Sequence, residues 1–416
     1  MSVASAHDGP TMGVADRHFM PSDYSDLVVV SNAVRYPMPV VWPAFNYSSI
    51  STSAHASSPD GQYVARVQNS FSSRPPLQVA DLATGVVHDV ETQNVWSRAV
   101  AFSPDGKYVA AVFDSAADAL RFYRVGTWER VFSEHTFSRQ YFAACRQLVY
   151  SPDGSKLGVA AAPISGYLNE GGLWYIDLDT FEVELTDLVL VGRNEAFYDC
   201  AFSPDGNKLG YARVDGTFGF SASWVTGPGT PPVILESLGT NTAYGCDFSP
   251  DGTMFAVSHA VVTGRGSLTV YDVATLDFIE SSVPVLSGSG NTGCKFSSDG
   301  TLLFAHSGSI LAVIDTATWQ IIDELTSISS VNYKTDLIHT PFYRRFSGRT
   351  FDVNNVGVSG KVLVYDKDTR LAAEVMNSSA LAGFQSVGLH PRFRQYGAVA
   401  VSTHEGEPQY VLKGLL

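Results

Sequence analysis

The sequence predicts an all-β protein built from one repeated module, and three observations support that prediction. One phrase recurs almost unchanged, as AFSPDGKYVAAVFD at 101–114, VYSPDGSKLGVAA, AFSPDGNKLGYAR, DFSPDGTMFAVSH and KFSSDGTLLFAHS. The turn proline, or the residue in its place, recurs at Pro59, Pro104, Pro152, Pro204, Pro250, Ser298, Pro341 and Pro391. Apolar and polar residues alternate with period two on both sides of each turn, as in β-strands. An interval in the high forties with two strands around each turn is the spacing of β-propeller blades.

Each element of the module has a physical reason. In Ser-Pro-Asp-Gly, proline presets φ, aspartate accepts local backbone N–H groups, and glycine takes the positive φ that reverses the chain. A second turn follows a variable loop, where an aspartate precedes a threonine by three residues and caps the turn through its carboxylate. These aspartates are Asp81, Asp177, Asp272, Asp315 and Asp366. Because they recur in five of the units, with Arg124 in the place of the aspartate in another, we interpret them as structural rather than catalytic.

Each unit therefore has strands a, b, c and d, which in the unit around Pro250 cover about 243–248, 253–259, 267–272 and 277–282. We expect a single closed β-propeller of eight four-stranded blades, or of seven, because the copies near Pro341 and Pro391 are degenerate. The eighth unit reaches only strand c, QYVLK, before the printed sequence ends. An open sheet edge is unfavourable, so we expect LVVVSNA (27–33) or PVVW (39–42) to supply the missing outer strand.

The predicted domain organisation follows from this repeat. Residues 1–25 form an extended N-terminal arm, and residues 26–416 form the propeller, with the ring-closing strand near 27–42 and the repeats at about 50–412. The phrase FSPDGKYVA resembles WD40-like propeller repeats, most closely those in the propeller of the translocation protein TolB. The Gly-His and Trp-Asp pairs of the strict WD40 repeat are missing, so the hydrogen-bond network of that family is not expected here.

Composition excludes several classes of protein. Hydrophobic residues make up 45% of the chain and charged residues only 16%, so a packed interior and a weakly charged surface are expected. A net charge of −14 argues against binding along a nucleic-acid backbone. The N-terminal segment lacks the apolar stretch of a signal peptide, and no apolar run is long enough to span a membrane. We therefore expect a soluble protein without a Sec signal.

Few residues point to chemistry. Cys200, Cys246 and Cys294 recur at one strand position, which favours small buried side chains over a disulfide or metal site. His259 and His306 follow strand b in adjacent units and are a weaker metal candidate. Phosphate-loop, zinc-helix, Gly-x-Ser-x-Gly and EF-hand spacings do not occur. We predict no cofactor, no metal and no catalytic residues, although a propeller hydrolase or lactonase with a channel-mouth metal stays an alternative.

Two regions are candidate binding sites. In the two degenerate copies, arginine and aromatic residues replace the acidic turn. Solvated or locally paired arginines are the favoured interpretation of this cluster, and docking of an acidic protein partner is the functional alternative. These residues are Phe342, Tyr343, Arg344, Arg345, Arg349, Arg392, Phe393 and Arg394. The long b–c and d–a loops, such as 132–144, 163–172, 214–223 and 260–267, form the other face, where recognition is expected. On that face Tyr167 and Trp174 are candidates for binding a glycan or small ligand.

The sequence therefore leaves three functions open. The first is a non-catalytic interaction or structural subunit that docks protein partners in a larger assembly. Low charge and abundant Ser, Thr, Tyr and Phe also fit a component of a phage virion, such as a tail or decoration protein. The second is the metal-dependent propeller enzyme, and the third is a glycan-binding module. Neither the partner nor the oligomeric state follows from the sequence.

Overall fold

The computed structural model describes most of the chain between residues 52 and 325. Inside that range it omits 60–61, 69–74, 82–83, 85, 94, 116–117, 136, 138–144, 162–171, 189–196, 222–232, 239–241, 263–265, 280–290, 298 and 308–309. Outside it, the model describes only the backbone of strands at 28–30, 33–35, 42–45, 338–340, 345–348, 359–366, 371–382, 384–389, 398–402 and 409–411. In all these residues the regular structure is β-strand, which confirms the predicted all-β fold. The same residues contain no helix that is long and apolar enough to cross a membrane.

The described strands form eight sheets, which we number along the chain. Sheet 1 contains β4 (Thr52–Ser57), β5 (Tyr63–Gln68), β6 (Leu77–Asp81) and β7 (Val87–Glu91). Sheet 2 contains β8 (Ser97–Phe102), β9 (Tyr108–Phe113), β10 (Leu120–Arg124) and β11 (Arg130–Val131). Sheet 3 contains β12 (Cys145–Tyr150), β13 (Lys156–Ala161), β14 (Gly172–Asp177) and β15 (Val183–Leu188). Each is an antiparallel meander in chain order, as the module predicts.

Sheets 4 to 6 repeat this arrangement. Sheet 4 contains β16 (Phe197–Phe202), β17 (Leu209–Arg213), β18 (Thr217–Ser221) and β19 (Val233–Ser237). Sheet 5 contains β20 (Ala243–Phe248), β21 (Met254–Val262) and β22 (Gly266–Asp272). Sheet 6 contains β23 (Asn291–Phe296), β24 (Leu302–Ser307), β25 (Ile310–Asp315) and β26 (Ile321–Leu325). In sheet 5, the expected strand at 277–282 is described only as a bridge between Tyr271 and Phe278.

Sheets 7 and 8 include strands from the N-terminal part of the chain. Sheet 7 contains β27 (Ile338–Thr340), β28 (Arg345–Gly348), β29 (Ser359–Asp366) and β30 (Leu371–Ala382), together with β1 (Val28–Val30) and β2 (Ala33–Arg35). Sheet 8 contains β31 (Phe384–Leu389), β32 (Ala398–Ser402) and β33 (Gln409–Val411), together with β3 (Trp42–Phe45). β2 runs parallel to β30, whereas β3 pairs antiparallel with β33 and occupies the fourth position of sheet 8.

The sheets pack face to face in chain order. The first strand of each of sheets 1 to 5 contacts the first strand of the next sheet, and β31 contacts both β4 and β27. Apolar clusters fill the spaces between sheets. Phe102 and Phe113 of sheet 2 pack with Val79 of sheet 1, and Phe248 and Phe255 of sheet 5 pack with residues of sheet 4. The core is therefore a series of inter-sheet layers rather than one central cluster.

The Ser-Pro-Asp-Gly turns adopt the predicted geometry. In the turn at Ser203, the hydroxyl donates to Asp205 Oδ1 at 2.5 Å and accepts the Lys208 N–H at 2.9 Å. Gly206 has φ +70°, and a β-carbon there would meet Pro152 Cδ of the preceding sheet at 3.8 Å. The same contact joins Gly154 to Pro104. We call this end of the sheets, with the a–b and c–d turns, the turn end, and the opposite end the loop end.

The second turn also forms as predicted. Asp315 Oδ1 accepts the N–H groups of Ala317 at 3.0 Å and Thr318 at 2.9 Å, and Asp272 makes the equivalent bonds. The residue after the threonine position has a positive φ although it is bulky, as at Trp128 with +60°. Its ring lies edge-on to Tyr63 of sheet 1 at 5.1 Å, so packing between sheets offsets the strained backbone.

The prediction of a long loop is wrong for two segments. Residues 217–221 form β18, so the b–c connection of sheet 4 is the tight turn at 214–216, where Gly216 has φ +79°. In sheet 5, β21 extends to Val262 and β22 begins at Gly266, which leaves only 263–265 between them. Phe218 and Phe220 alternate with smaller residues through the first segment, and Gly216 is a turn glycine between two strands.

Candidate functional site

A β-bulge recurs where the first strand of the sheet begins, at the loop end. In every sheet except sheet 7, the register skips one residue between the first and third positions of that strand. We call the skipped residues the bulge row: Ser53, Arg98, Arg146, Tyr198, Tyr244, Thr292 and Gln385. A bulge redirects a side chain and is frequent beside binding sites. The backbone feature repeats here, but its residue changes from sheet to sheet.

Sheets 4 and 5 place two aromatic members of the bulge row side by side. The ring centroids of Tyr198 and Tyr244 lie 5.7 Å apart with an interplanar angle of 41°. Both residues are half-buried, so each combines packing against its neighbours with a surface that a ligand can contact.

Two arginines at the loop end stack on aromatic rings, one in sheet 2 and one in sheet 4. The Arg98 guanidinium lies 5.1 Å from the Trp96 ring centroid, and its Nη2 is 3.7 Å from Asp114 Oδ2. In sheet 4, Arg213 lies 5.5 Å from the ring of Phe197, its register partner, and its Nη2 donates to Asp215 Oδ2 at 2.8 Å.

Aspartates join the first strands of sheets 4 to 6 below the bulge row. Asp199 Oδ2 accepts the Cys246 N–H at 3.2 Å, and Asp247 Oδ2 accepts the Phe296 N–H at 2.9 Å. Lys295 donates to the other oxygen of Asp247, which forms an ion pair between neighbouring sheets. Burial opposes the charge of Lys295, but the Asp247 carboxylate outweighs it and raises the pKa of the ammonium group.

Carboxylates on outer strands make similar connections. The Glu91 carboxylate accepts hydrogen bonds from Arg121 and from the Tyr123 hydroxyl, so it links sheet 1 to sheet 2. Burial alone would raise the pKa of Glu91, but the Gln93 N–H, Tyr123 and Arg121 together lower it. Tyr271 donates to Glu236 at 2.5 Å and links sheets 4 and 5 in the same way. Sequence reasoning missed these connections because the partners lie thirty or more residues apart.

The cysteines lie where the repeat predicted small buried side chains. Cys145, Cys200, Cys246 and Cys294 are all buried free thiols, so the disulfide that the blade spacing disfavours does not form among them. Burial, followed by the charge of Asp199, raises the pKa of the Cys246 thiol well above its ordinary value. Burial also raises the pKa of the Cys294 thiol, and all four thiols are buried, which is unfavourable for nucleophilic chemistry.

The predicted histidine pair does not share a register position. His259 pairs with Ala243, whereas His306 pairs with Gly293 and thus occupies the position of Ser258. His259 is fully buried, its Nδ1 lies 2.8 Å from the Ala260 oxygen, and its ring is stacked parallel to Phe218. The described part of the chain contains no group of three or more His, Cys, Asp or Glu residues arranged to hold a metal ion.

Most of the predicted partner-binding residues lie outside the described part of the chain. They are Phe342, Tyr343, Arg344, Arg349, Arg392, Phe393 and Arg394. For Arg345 the structure gives the backbone, which starts β28 and pairs with Thr340. The strand order makes 341–344 and 390–397 the a–b connections of sheets 7 and 8. Arg349 instead follows the end of β28 in the sequence.

Of the two candidates for a glycan-binding platform, the structure describes only one. Tyr167 lies outside the described residues. Trp174 lies in β14, is 4% exposed, and packs with Leu157 and Val159 between sheets 2 and 3. Its ring therefore belongs to the core and does not offer an exposed stacking surface.

Similarity to known proteins is visible in structure only. No protein-family model matches the sequence, and no curated protein matches it. The structure of the Dos1 propeller aligns with a TM-score of 0.60 and 13% identity over 89% of this chain and 94% of that chain.

Two further solved structures are similar. The β-propeller domain of Cps50 (Swd1) from Myceliophteria thermophila has a TM-score of 0.53 and 13% identity, and covers 77% of this chain and 98% of its own. A chain of the Mitotic Checkpoint Complex has a TM-score of 0.54 and 11% identity over 76% of this chain and 89% of that chain. Identities this low establish the fold alone. With its repeated four-stranded sheets and these structural matches, the chain has the fold of a WD40-like β-propeller.

Proposed function

We propose that this protein is a non-catalytic interaction subunit that binds protein partners at the loop end of its sheets. The bulge row carries this proposal. Its backbone geometry recurs in seven sheets, while its side chains range from Ser53 to Arg98 and Tyr198. The turn serines, which support the fold through one shared pair of hydrogen bonds, keep a single residue type. A constant geometry with variable side chains instead supports recognition.

The repeated carboxylates support the same function. Aspartates of both turns accept backbone N–H groups, and Glu91, Asp199 and Asp247 join neighbouring sheets. These groups stabilise the scaffold, and in the described residues they are not grouped to hold a metal ion. A rigid scaffold lowers the entropy cost of binding at its loops.

We further propose that the sheets form a closed ring of eight blades over residues 26–416, preceded by an arm at 1–25. The pairing of β3 with β33 and the contact of β31 with β4 support closure by the N-terminal segment. In this arrangement, residues 42–45 provide the outer strand of the last blade, a few residues beyond the segment expected from the sequence.

Assembly into a larger complex is the setting that we propose for this ring. One of the similar structures is a chain of the Mitotic Checkpoint Complex, so a propeller of this kind can serve as part of an assembly. The arginine-rich turns of sheets 7 and 8 are proposed as a second docking surface for an acidic protein, and a virion is one such assembly.

Native mass spectrometry and chemical cross-linking of the protein from its source test this function. We expect it in a complex, with cross-links to its partners from the loop end. Tyr198→Ser with Tyr244→Ser should weaken partner capture, and Arg344→Glu with Arg392→Glu should weaken it if the second surface also docks. A protein found free and monomeric, or capture unchanged in the tyrosine variant, contradicts the proposal.

A further inference from the structure

We infer that the outer edge of sheet 7 is a self-association surface, where β1 pairs antiparallel with β1 of a second copy of this chain. The inference goes beyond the proposed function, which concerns the loop end, and does not depend on it. It depends on the position of β1 in its sheet, on the direction of the backbone groups of β1, and on the uncharged sequence around it.

β1 is the outermost strand of an enlarged sheet. Sheet 7 has the order β1-β2-β30-β29-β28-β27, so β1 and β2 lie outside the four strands of the module. In the part of the chain that the structure describes, β1 pairs with β2 and with no other strand. A strand in this position presents backbone N–H and C=O groups to which another strand can add.

The pairing of β1 with β2 fixes which backbone groups point outward. Val30 pairs with Ala33, and two residues separate them in the sequence. In a hairpin of this length the closing pair exchanges its own hydrogen bonds, and the direction of these groups alternates along each strand. The N–H and C=O of Val29 therefore point away from β2. Two copies of Val29 can exchange a pair of hydrogen bonds across a two-fold axis.

β1 lacks the features that protect other outer strands. Residues 27–34 contain no charged residue and no proline. By contrast, the outer strands of sheets 1 to 4 and 6 each contain charge, and β3 of sheet 8 contains Pro43. The charged residues are Asp89, Glu91, Arg130, Glu184, Asp187, Glu236, Asp323 and Glu324. Charge and proline prevent strands from adding to an edge, so β1 is the unprotected edge among the sheets compared.

A second copy fits this edge better than it fits the others. Antiparallel self-pairing about Val29 sets Val28 of one copy opposite Val30 of the other, and pairs of β-branched residues stabilise neighbouring strands. The same operation on β7 or β26 would set Asp89 or Asp323 opposite its own copy, where like charges are destabilising. The sequence of β1 is thus compatible with a two-fold interface, the commonest symmetry of protein oligomers.

Size and charge set the strength that we expect of this dimer. β1 has three residues, so its pairing buries less surface than a standard interface, and we expect a dissociation constant on the order of 10 µM. Each copy has a net charge of −14, so the copies repel each other and higher salt should strengthen the dimer. A dimer presents two loop ends, which increases avidity for a partner that carries two binding segments.

Sedimentation velocity of the full chain between about 1 and about 200 µM tests the inference, and we expect a shift from monomer to dimer. Val29→Pro should weaken the dimer about tenfold or more, because proline lacks the N–H that bonds the second copy. Val29→Thr is the matched control, since it keeps the N–H and a β-branched side chain and should stay within about twofold of the wild type. Equal melting temperatures show that both variants keep the fold.

Hydrogen exchange followed by mass spectrometry locates the interface without any substitution. Exchange in residues 27–31 of the wild-type chain should slow as the concentration rises through the dissociation constant, whereas exchange in β26 should not change. If Val29→Pro lowers the melting temperature, this measurement decides alone.

The outcomes separate this inference from the proposed function. A chain that stays monomeric at about 200 µM overturns the inference, as does a dimer that Val29→Pro and Val29→Thr weaken equally. Concentration-dependent protection in β26 and not in 27–31 also overturns it. Protection of 27–31 that appears only when another protein is added assigns the edge to a strand of that protein and overturns pairing with a second copy. Partner binding at the loop end is tested separately by the tyrosine variant.

Discussion

The turn end and the loop end of the sheets use the same strands in opposite ways. At the turn end, five serines make the same pair of hydrogen bonds, and each turn glycine faces a proline of the preceding sheet. At the loop end, the bulge recurs but serine, arginine, tyrosine, threonine and glutamine occupy it in different sheets. Repetition of the residue therefore marks what builds the fold, whereas repetition of geometry alone marks what the fold presents.

The boundary between these two roles does not follow the ends of the strands. Trp174 is only the third residue of β14, close to the loop end, yet it is 4% exposed. Asp247 lies on the first strand of sheet 5, and its carboxylate links that sheet to sheet 6. Contacts between sheets decide the role of a residue, and substitutions can test each assignment.

The largest effect is expected for Trp174→Ala. Removal of a fully packed indole between sheets 2 and 3 should lower the free energy of unfolding by about 3–5 kcal/mol. Urea unfolding followed by fluorescence and circular dichroism measures this loss, with Trp174→Phe as the milder control. A variant as stable as the wild type would show that Trp174 lies on the surface and would restore it as a glycan candidate.

Asp247→Ala should have the next largest effect. The substitution removes the acceptor of the Phe296 N–H and leaves Lys295 without its carboxylate, so we expect a loss of about 2 kcal/mol. Asp247→Asn, which keeps an acceptor oxygen, should lose less. If both variants unfold at the wild-type urea concentration, the aspartate does not join sheets 5 and 6.

Gly206→Val should cost roughly 1 kcal/mol or more. A β-branched residue is strained at the observed φ of +70°. Gly206→Asn is the matched control because asparagine tolerates positive φ, and it should lose clearly less stability. Equal unfolding midpoints for valine and asparagine would mean that this turn is not rigid.

The repeat made much of the fold predictable from sequence. Ser-Pro-Asp-Gly and Asp-x-x-Thr act through bonds within a few residues, so their geometry follows from local chemistry alone, as at Ser203 and Asp315. The shared buried position of Cys200, Cys246 and Cys294 was also predictable, as was the Asp247–Lys295 pair. In both cases equivalent positions of neighbouring units lie side by side.

The candidate site was less predictable. A bulge depends on pairing between two strands, and no residue type marks it, since Arg98, Tyr198 and Thr292 all occupy it. The sequence signal available was a fixed spacing, because each bulge residue lies six positions before the turn proline or the serine in its place. Trp174 was misjudged for a related reason, because its burial depends on sheet 2 and not on the loop that precedes it.

The smallest effect is expected for the exposed turn carboxylates, and it should appear as pH dependence. Hydrogen bonds and a lysine partner offset the cost of burial and lower the pKa of Asp105 from 3.8 to about 2. Because the folded pKa is the lower one, this group stabilises the protein above pH 3.8, and its contribution is lost as the pH falls to about 2. Asp105→Asn should reduce stability slightly at pH 7, by less than about 1 kcal/mol, and should have little effect at pH 2.

Urea unfolding of both proteins across this range measures the difference, with Asp277→Asn as a control at a turn-end carboxylate that accepts none of the turn hydrogen bonds described above. A difference between wild type and Asp105→Asn that does not shrink as the pH falls would show that the carboxylate's charge is not what holds the turn.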